Sequence, residues 1–321
     1  MNISTKQSFN IGFLLIDNFA LMSFSAVVEP LRAANLIAGK CLYEISYYSV
    51  DGDSVQSSNG VKVCEIERFE LSSNLDILFV VAGFGVGTFK VNSVFEQLRK
   101  LDRQGVTLGG VSGGPVILAK SGVMQNRRFT VHWEHAEMLK ELMPELIIER
   151  SLYVKDRDRY TCAGGIAPLD MMNSILRLQH GTKFAQRVSD WFIHTEIRPA
   201  IGAQKSGLSA EYPKATRPML LAIEAMRNHV SDPLDLQQIA DLSKISTRQL
   251  NRLFRQKLNI KTMAFYRNIR LKIAEQFIRQ SSMKVIEIAQ ATGFENTAHF
   301  SCTFKRYFKK SPSALRNSYT G

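Results

Sequence analysis

Between residues 236 and 308 the chain carries one pattern twice: two short amphipathic helices joined by a tight turn. In the first copy Leu236, Ile239, Ala240 and Leu242 fall on one helical face, and Leu250, Leu253 and Phe254 fall on another. Ser246 stands between them as an N-cap. Its hydroxyl can accept from the free amides of a following turn, so the second helix is expected to start at Thr247 or Arg248. The second copy places Val285, Ile288 and Ala289 before Gly293, where the chain must turn sharply, and Phe300 and Phe304 after it. Ala240 matches Ala289 and Phe254 matches Phe304, with one extra residue in the second turn. Small Ala lets the helices of each pair approach closely, and Ile245 and Phe294 plug the turns from the core side. Residues 263 to 278 keep apolar residues at helical spacing with no Gly or Pro, which predicts one long connecting helix. A rigid connector fixes the separation of the two pairs.

The C-terminal part that contains this pattern, residues 217 to 321, holds nearly all of the chain's net positive charge. Residues 217 to 321 contain 18 Lys and Arg against 7 Asp and Glu, whereas residues 1 to 216 contain 23 against 22. Such a local surplus is the footprint of a surface that neutralises phosphates, although a merely solvated basic face has the same composition. The motif decides between them. Two helix pairs on one connector can place their second helices in successive major grooves on one face of a duplex.

Residues 217 to 321 resemble the DNA-binding domain of the AraC family of bacterial transcription regulators. The resemblance is carried by Ile239-Ala240, Ser246-Thr-Arg-Gln-Leu250, Leu253-Phe254, Arg267-Asn-Ile-Arg-Leu271, Ile288-Ala289, Thr292-Gly293-Phe294, His299-Phe300-Ser301, Phe304-Lys305-Arg306-Tyr307-Phe308 and Ser311-Pro312. It departs at residues 259 to 263, where the family has Gly and then a Ser-Pro pair. The resemblance implies that Arg248, Asn251 and Arg252 point from the first recognition helix and Ala298, His299 and Cys302 from the second. Arg suits guanine and Asn suits adenine, so the first helix is the better equipped for base readout, with His299 the strong polar reader on the second. Each Arg is equally a candidate phosphate contact.

The first two hundred residues are long enough for a domain with its own core. Residues 10 to 16, 43 to 50 and 76 to 81 read as buried strands, residues 20 to 38 as a helix, and the alternation argues for a parallel sheet sandwiched by helices. The whole is therefore expected to be α/β in its first part and all-α, with two helix-turn-helix units, in its second. The sharpest local feature is Gly110-Val-Ser112-Gly-Gly114, a strand-to-helix turn with the spacing of a nucleophile elbow.

Residues 9 to 195 resemble the PfpI-like domain of the class I glutamine amidotransferase-like fold, whose layers are flavodoxin-like. The matching elements are Ala82-Gly83-Phe84-Gly85, the elbow, Thr130-Val-His132-Trp133, and Cys162-Ala-Gly164-Gly165 with Asp170. Fusion of such a domain to an AraC-type domain is the arrangement of the GlxA-like regulators. The elbow nucleophile of the related enzymes is Cys, here replaced by Ser112, and their nearby acidic residue aligns with Ser23. A Ser hydroxyl without a positioned base is a poor nucleophile, so no catalytic residue is assigned. His132 is a base in principle and a polar lining of a pocket in the blander reading. The implied role is a sensor, with an effector in the old active-site cleft, between subunits or under the sheet edge. The stretch from Phe19 to Asn35 looks like regulators of quaternary-amine catabolism, such as those responding to glycine betaine or carnitine. Phe19, Phe24, Phe84 and Trp133 would then present ring faces to a trimethylammonium group, with Ser112 or His132 near its carboxylate, unless these rings simply pack the core.

Residues 196 to 216 contain Pro, Gly and Ser with little apolar periodicity and read as an exposed linker before a second domain at 217 to 321. Cys41, Cys64, Cys162 and Cys302 lack metal-ligand spacing, and reduced thiols in the cytoplasm, with no metal or cofactor, are expected. No apolar run approaches the length of a membrane span. The expected protein is a homodimeric activator binding double-stranded promoter DNA, a small-molecule effector and RNA polymerase. The rival is a Ser-dependent hydrolase or amidase carrying a DNA-binding domain.

Overall fold

A computed structural model describes residues 8–64, 66–70, 74–205 and 207–318. The chain forms two compact units that divide between Gln204 and Lys205.

The first unit is built on strands β1 (Phe9–Leu15), β2 (Tyr43–Ser49), β3 (Val55–Gln56), β4 (Lys62–Val63), β5 (Glu67–Arg68), β6 (Ile77–Ala82), β7 (Thr107–Ser112), β8 (Arg128–Thr130), β9 (Ile147–Glu149), β10 (Tyr153–Asp156) and β11 (Arg159–Cys162). The main sheet has the order β10-β11-β7-β6-β1-β2-β5, and its pairs are parallel except that β10 runs antiparallel to β11. Strands β3 and β4 pair antiparallel, and β8 and β9 form a parallel two-stranded ribbon. The helices are α1 (Leu21–Ala38), α2 (Asn92–Arg103), α3 (Gly114–Lys120), α4 (Trp133–Leu142), α5 (Ala167–His180) and α6 (Thr182–Trp191).

Strand periodicity explains the layers. Ile11, Phe13 and Leu15 with Ile77, Phe79 and Val81 join one core with Val27 and Leu31 of α1, Met171, Met172 and Ile175 of α5, and Val188 of α6. The intervening Leu14, Leu78 and Val80 are equally buried and belong to the opposite face, where α3 packs on β6 and β7. The approach of α3 is close: a Cβ on Gly114 would lie 1.9 Å from the Val80 carbonyl oxygen, so only Gly fits there. The expected helix-sandwiched parallel sheet is present, with a hairpin and a ribbon that the sequence did not announce.

The second unit is helical: α7 (Leu208–Glu211), α8 (Arg217–Asn228), α9 (Leu236–Leu242), α10 (Thr247–Leu258), α11 (Thr262–Gln280), α12 (Val285–Ala291), α13 (Thr297–Phe308) and α14 (Pro312–Asn317). Met219, Ile223 and Met226 of α8 close the first pair's core over Ile239, Ala240, Leu250, Phe254 and Tyr266. In the second pair Phe294, Phe300 and Phe304 form a run of ring contacts at 5.2 and 5.5 Å. Helix α10 starts at Thr247 behind a capping box in which Ser246 and Gln249 bond each other's backbone amides.

The stretch at 196 to 216 is divided between the units. The Leu152 amide donates to the Ala200 carbonyl at 2.8 Å and Arg198 pairs with Asp170 at 2.6 Å, while Arg227 pairs with Glu211 at 2.7 Å. Its polar composition reads as exposure, yet several of those polar atoms have partners far away in sequence.

Candidate nucleic-acid interface and sensor site

Strand β7 runs straight into α3 through Ser112, whose φ of 60° lies in the left-handed region that non-glycine residues rarely adopt. Two segments flank it. The His132 amide donates to the Ser112 carbonyl at 3.2 Å. On another side Gly164, at φ +91°, packs so closely that a Cβ there would lie 2.7 Å from the Ser112 Cβ and 2.9 Å from its Oγ. Next to it, the Gly165 amide donates to the buried Ser23 hydroxyl at 2.8 Å, so the aligned acidic position holds a neutral acceptor.

His132 caps α4, its Nδ1 accepting from the Glu134 amide at 3.4 Å. Its ring centre is 5.2 Å from that of Trp133 and 6.1 Å from that of His135, which in turn lies 6.4 Å from the half-exposed ring of Phe84. The structure thus gathers Ser112, His132 and Trp133, and through His135 it links Phe84 to them. His135 was not foreseen. The only signal for it is its spacing of one helical turn from His132.

Phe19 and Phe24 do not line this site. Phe19 is fully buried and meets Phe24 edge-on at 5.4 Å, and Phe24 also packs on Phe13 at 6.1 Å and Tyr47 at 5.8 Å. Phe19 is buried and the half-buried Phe24 is engaged by three rings of the core, so both pack the core, which corrects their expected role as ligand contacts.

Two further polar groups of this unit, Asp170 and Cys162, are fully buried. The fully buried Asp170 carboxylate is shared by His194 Nε2 at 2.9 Å and Arg198 Nη2 at 2.6 Å. Cys162 is fully buried, and that burial pushes its thiol up to about 12. In the native protein Cys41, Cys64 and Cys302, all exposed, are expected to react with an aromatic disulfide reagent while Cys162 reacts only after unfolding. Four fast thiols before denaturant is added would contradict this burial.

In the second unit Arg248, Arg252 and Arg255 are exposed along one side of α10, at spacings of four and three residues, opposite the buried Leu250 and Phe254. Asn251 is placed differently. It is half-buried and its Oδ1 accepts from the Thr262 amide at 3.3 Å, capping α11 where Lys261 offers no side-chain cap. The departure from the Ser-Pro pattern is thereby compensated locally. On α13 Ala298, His299 and Cys302 are all exposed, and Asn296 caps the helix by accepting from the Ala298 and His299 amides at 2.8 and 3.1 Å. Lys305, Arg306, Lys309 and Lys310 continue the exposed basic surface at its end. The turns match as well: Lys244 at φ 56° holds the left-handed position that Gly293 holds at φ 70°. Arg270 of the connecting helix braces the second turn, donating from Nε to the Thr292 carbonyl at 2.7 Å and stacking 4.3 Å above the Phe294 ring.

Among the described residues no helix is long and apolar enough to cross a membrane. Residues 239–318 match the helix-turn-helix domain family and residues 10–178 match the DJ-1/PfpI family. The chain is 42% identical over 308 residues to the HTH-type transcriptional regulator GlxA of Rhizobium meliloti, covering 95% of each chain. It is 38% identical over 304 residues to the HTH-type transcriptional regulator CdhR of Pseudomonas aeruginosa, covering 95% of this chain and 90% of that one. A crystal structure of an AraC family transcriptional regulator from Pseudomonas putida aligns with a TM-score of 0.52 at 26% identity, over 57% of this chain and 99% of that chain. The chain therefore belongs to the GlxA-like HTH-type transcriptional regulators, in which an AraC-type DNA-binding domain follows a DJ-1/PfpI-like domain.

Proposed function

We propose that this regulator is a non-enzymatic, cytoplasmic activator that responds to a small metabolite bound beside Ser112, and that the metabolite is a quaternary amine with a carboxylate, such as glycine betaine or carnitine. The observation that carries the reading is the company Ser112 keeps. The backbone of His132 bonds the strained elbow directly, and the His132 ring stands in a row of rings with Trp133, His135 and the half-exposed Phe84, a lining suited to a methylated cation. Phe84 and Trp133 can offer ring faces to a trimethylammonium group, each contact worth about 0.5–2 kcal/mol. The Ser112 hydroxyl or a His132 nitrogen can donate to the carboxylate. Arg248 and Arg252 read bases or phosphates from the first recognition helix and His299 from the second, with Ala298 and Cys302 beside it. A homodimer on paired promoter sites, in contact with RNA polymerase, completes the proposal.

Such an effector activates only in proportion to its preference for the active arrangement over the inactive one. Calorimetry on the full-length chain with glycine betaine, carnitine, choline and arginine tests the reading. Heat is expected from a carboxylated methylated amine, with Trp133→Ala weakening binding about tenfold, or roughly 1.4 kcal/mol. Silence from every methylated amine removes the quaternary-amine assignment, and turnover of an amide or ester that Ser112→Ala abolishes would favour the hydrolase.

A further inference from the structure

The chain leaves the first unit through residues 193–204, and this strap is fastened to both segments that flank Ser112. Near its start, His194 Nε2, the Arg198 amide and the Arg198 guanidinium all converge on the Asp170 carboxylate, at 2.6 to 2.9 Å. Asp170 lies in the first turn of α5, just beyond Gly164 and Gly165. In its middle, the Ala200 carbonyl accepts from the Leu152 amide at 2.8 Å, and the Leu152 carbonyl accepts from the Ala163 amide at 2.8 Å. That places the strap two backbone hydrogen bonds and one residue from Gly164. At its far end, Gln204 Nε2 donates to the Ser151 carbonyl at 2.7 Å and to Thr130 Oγ1 at 2.9 Å and the Val131 carbonyl at 3.1 Å, the last two on the segment that continues into His132 and Trp133.

We infer that this strap reports occupancy of the Ser112 site to the DNA-binding unit. Its three fastenings lead to the two walls of that site, so a ligand that shifts either wall alters how firmly the strap holds. The inference builds on the proposed effector site at Ser112. The docked strap is also poised to let go. Gln204 Nε2 is shared among three acceptors while its buried Oε1 has no hydrogen-bond partner among the described residues. The strap opens at Ile193, a β-branched residue at φ 55° that is 86% exposed. Release of residues 198 to 204 would add roughly 23 Å of contour to the tether before the second unit, at about 3.3 Å per residue. A longer tether lowers the effective concentration at which two linked units meet their sites, which gives the strap a route to transcription.

Amide hydrogen exchange on the full-length chain tests this in wild type, Gln204→Ala and Arg198→Ala. Undocking either end is expected to speed exchange within 198–204 and, by about threefold or more, at the His132, Ala163 and Gly165 amides, with β1 and β6 unchanged. If Arg198→Ala also speeds β1 and β6, it has unfolded the unit and Gln204→Ala decides. Acceleration confined to 198–204 overturns the inference. In a second arm, glycine betaine that binds by calorimetry must change exchange in 198–204, and unchanged exchange on a binding ligand also overturns it. If calorimetry is silent, the effector reading falls alone and the variant arm still decides the strap.

Discussion

Arg252→Ala is expected to weaken binding to a cognate promoter site by about 1–3 kcal/mol, roughly 5- to 150-fold, and to relax preference at one base position. The geometry makes the variant interpretable. Helix α10 is held from behind by the fully buried Leu250 and Phe254 and fixed at its start by the Ser246–Gln249 box, and Arg252 contributes to neither. Truncating it removes a contact and leaves the helix in place. Competition between the cognate site and random duplex is the check, and equal loss on both would reassign Arg252 to a phosphate. Asn251→Ala should behave otherwise. Its Oδ1 caps α11, so the first effect is on stability, about 1 kcal/mol, and not on base preference.

Arg159→Ala is expected to cost the first unit about 3 kcal/mol, seen as a fall in melting temperature of roughly 6–12 °C. The guanidinium is 2% exposed at the start of β11. It donates to the Val123 carbonyl at 3.0 Å and the Asp158 carbonyl at 3.1 Å, and pairs with the carboxylates of Asp102 and Asp158. Those carboxylates are 32% and 37% exposed and can recover some hydration, which places the cost at the low end for a broken buried pair. The loss should also depend on pH. Burial raises the Asp158 carboxyl, but the Arg127 hydrogen bond and the charges of Arg159 and Arg127 outweigh it and hold the group below its ordinary value. A depressed carboxylate stabilises the fold above its unfolded pKa of about 4 and loses that contribution as pH falls through the folded value. The gap between wild type and Arg159→Ala should therefore be full near neutrality and shrink in acid below about pH 4. Thermal scans at both pH values decide it, and an unchanged neutral melting temperature contradicts the role given to Arg159.

Much of this was written locally in the chain and was legible there. Ser246 and Gln249, Gly293, and the apolar spacing of residues 263 to 278 announce the helix pairs and their connector because caps, turns and periodicity act within a few residues. The strands at Phe9–Leu15 and Ile77–Ala82 read as such because a strand covered on both faces must be apolar throughout. What stayed hidden depended on contacts distant in sequence. Phe19 and Phe24 looked available to a ligand until packing set them against each other and set Phe24 against Phe13 and Tyr47. The cap that Asn251 gives α11 was hidden because its partner, the Thr262 amide, lies eleven residues away. Arg198 and Gln204 looked like linker, because polar residues among Pro and Gly resemble exposed chain unless their partners, Asp170 and Thr130, are known.

The central claim is that the second unit grips duplex DNA through its basic recognition surface, and the salt dependence of binding tests it most directly. Fluorescence anisotropy of the full-length chain on its own promoter fragment should show affinity falling linearly on a log–log plot with a slope of roughly −5 or steeper, about 0.9 per neutralised phosphate. Charge-removing substitutions at exposed positions such as Lys305 and Arg306 should each reduce that slope by about one. An absence of binding at low salt, or an affinity indifferent to salt, would contradict the account.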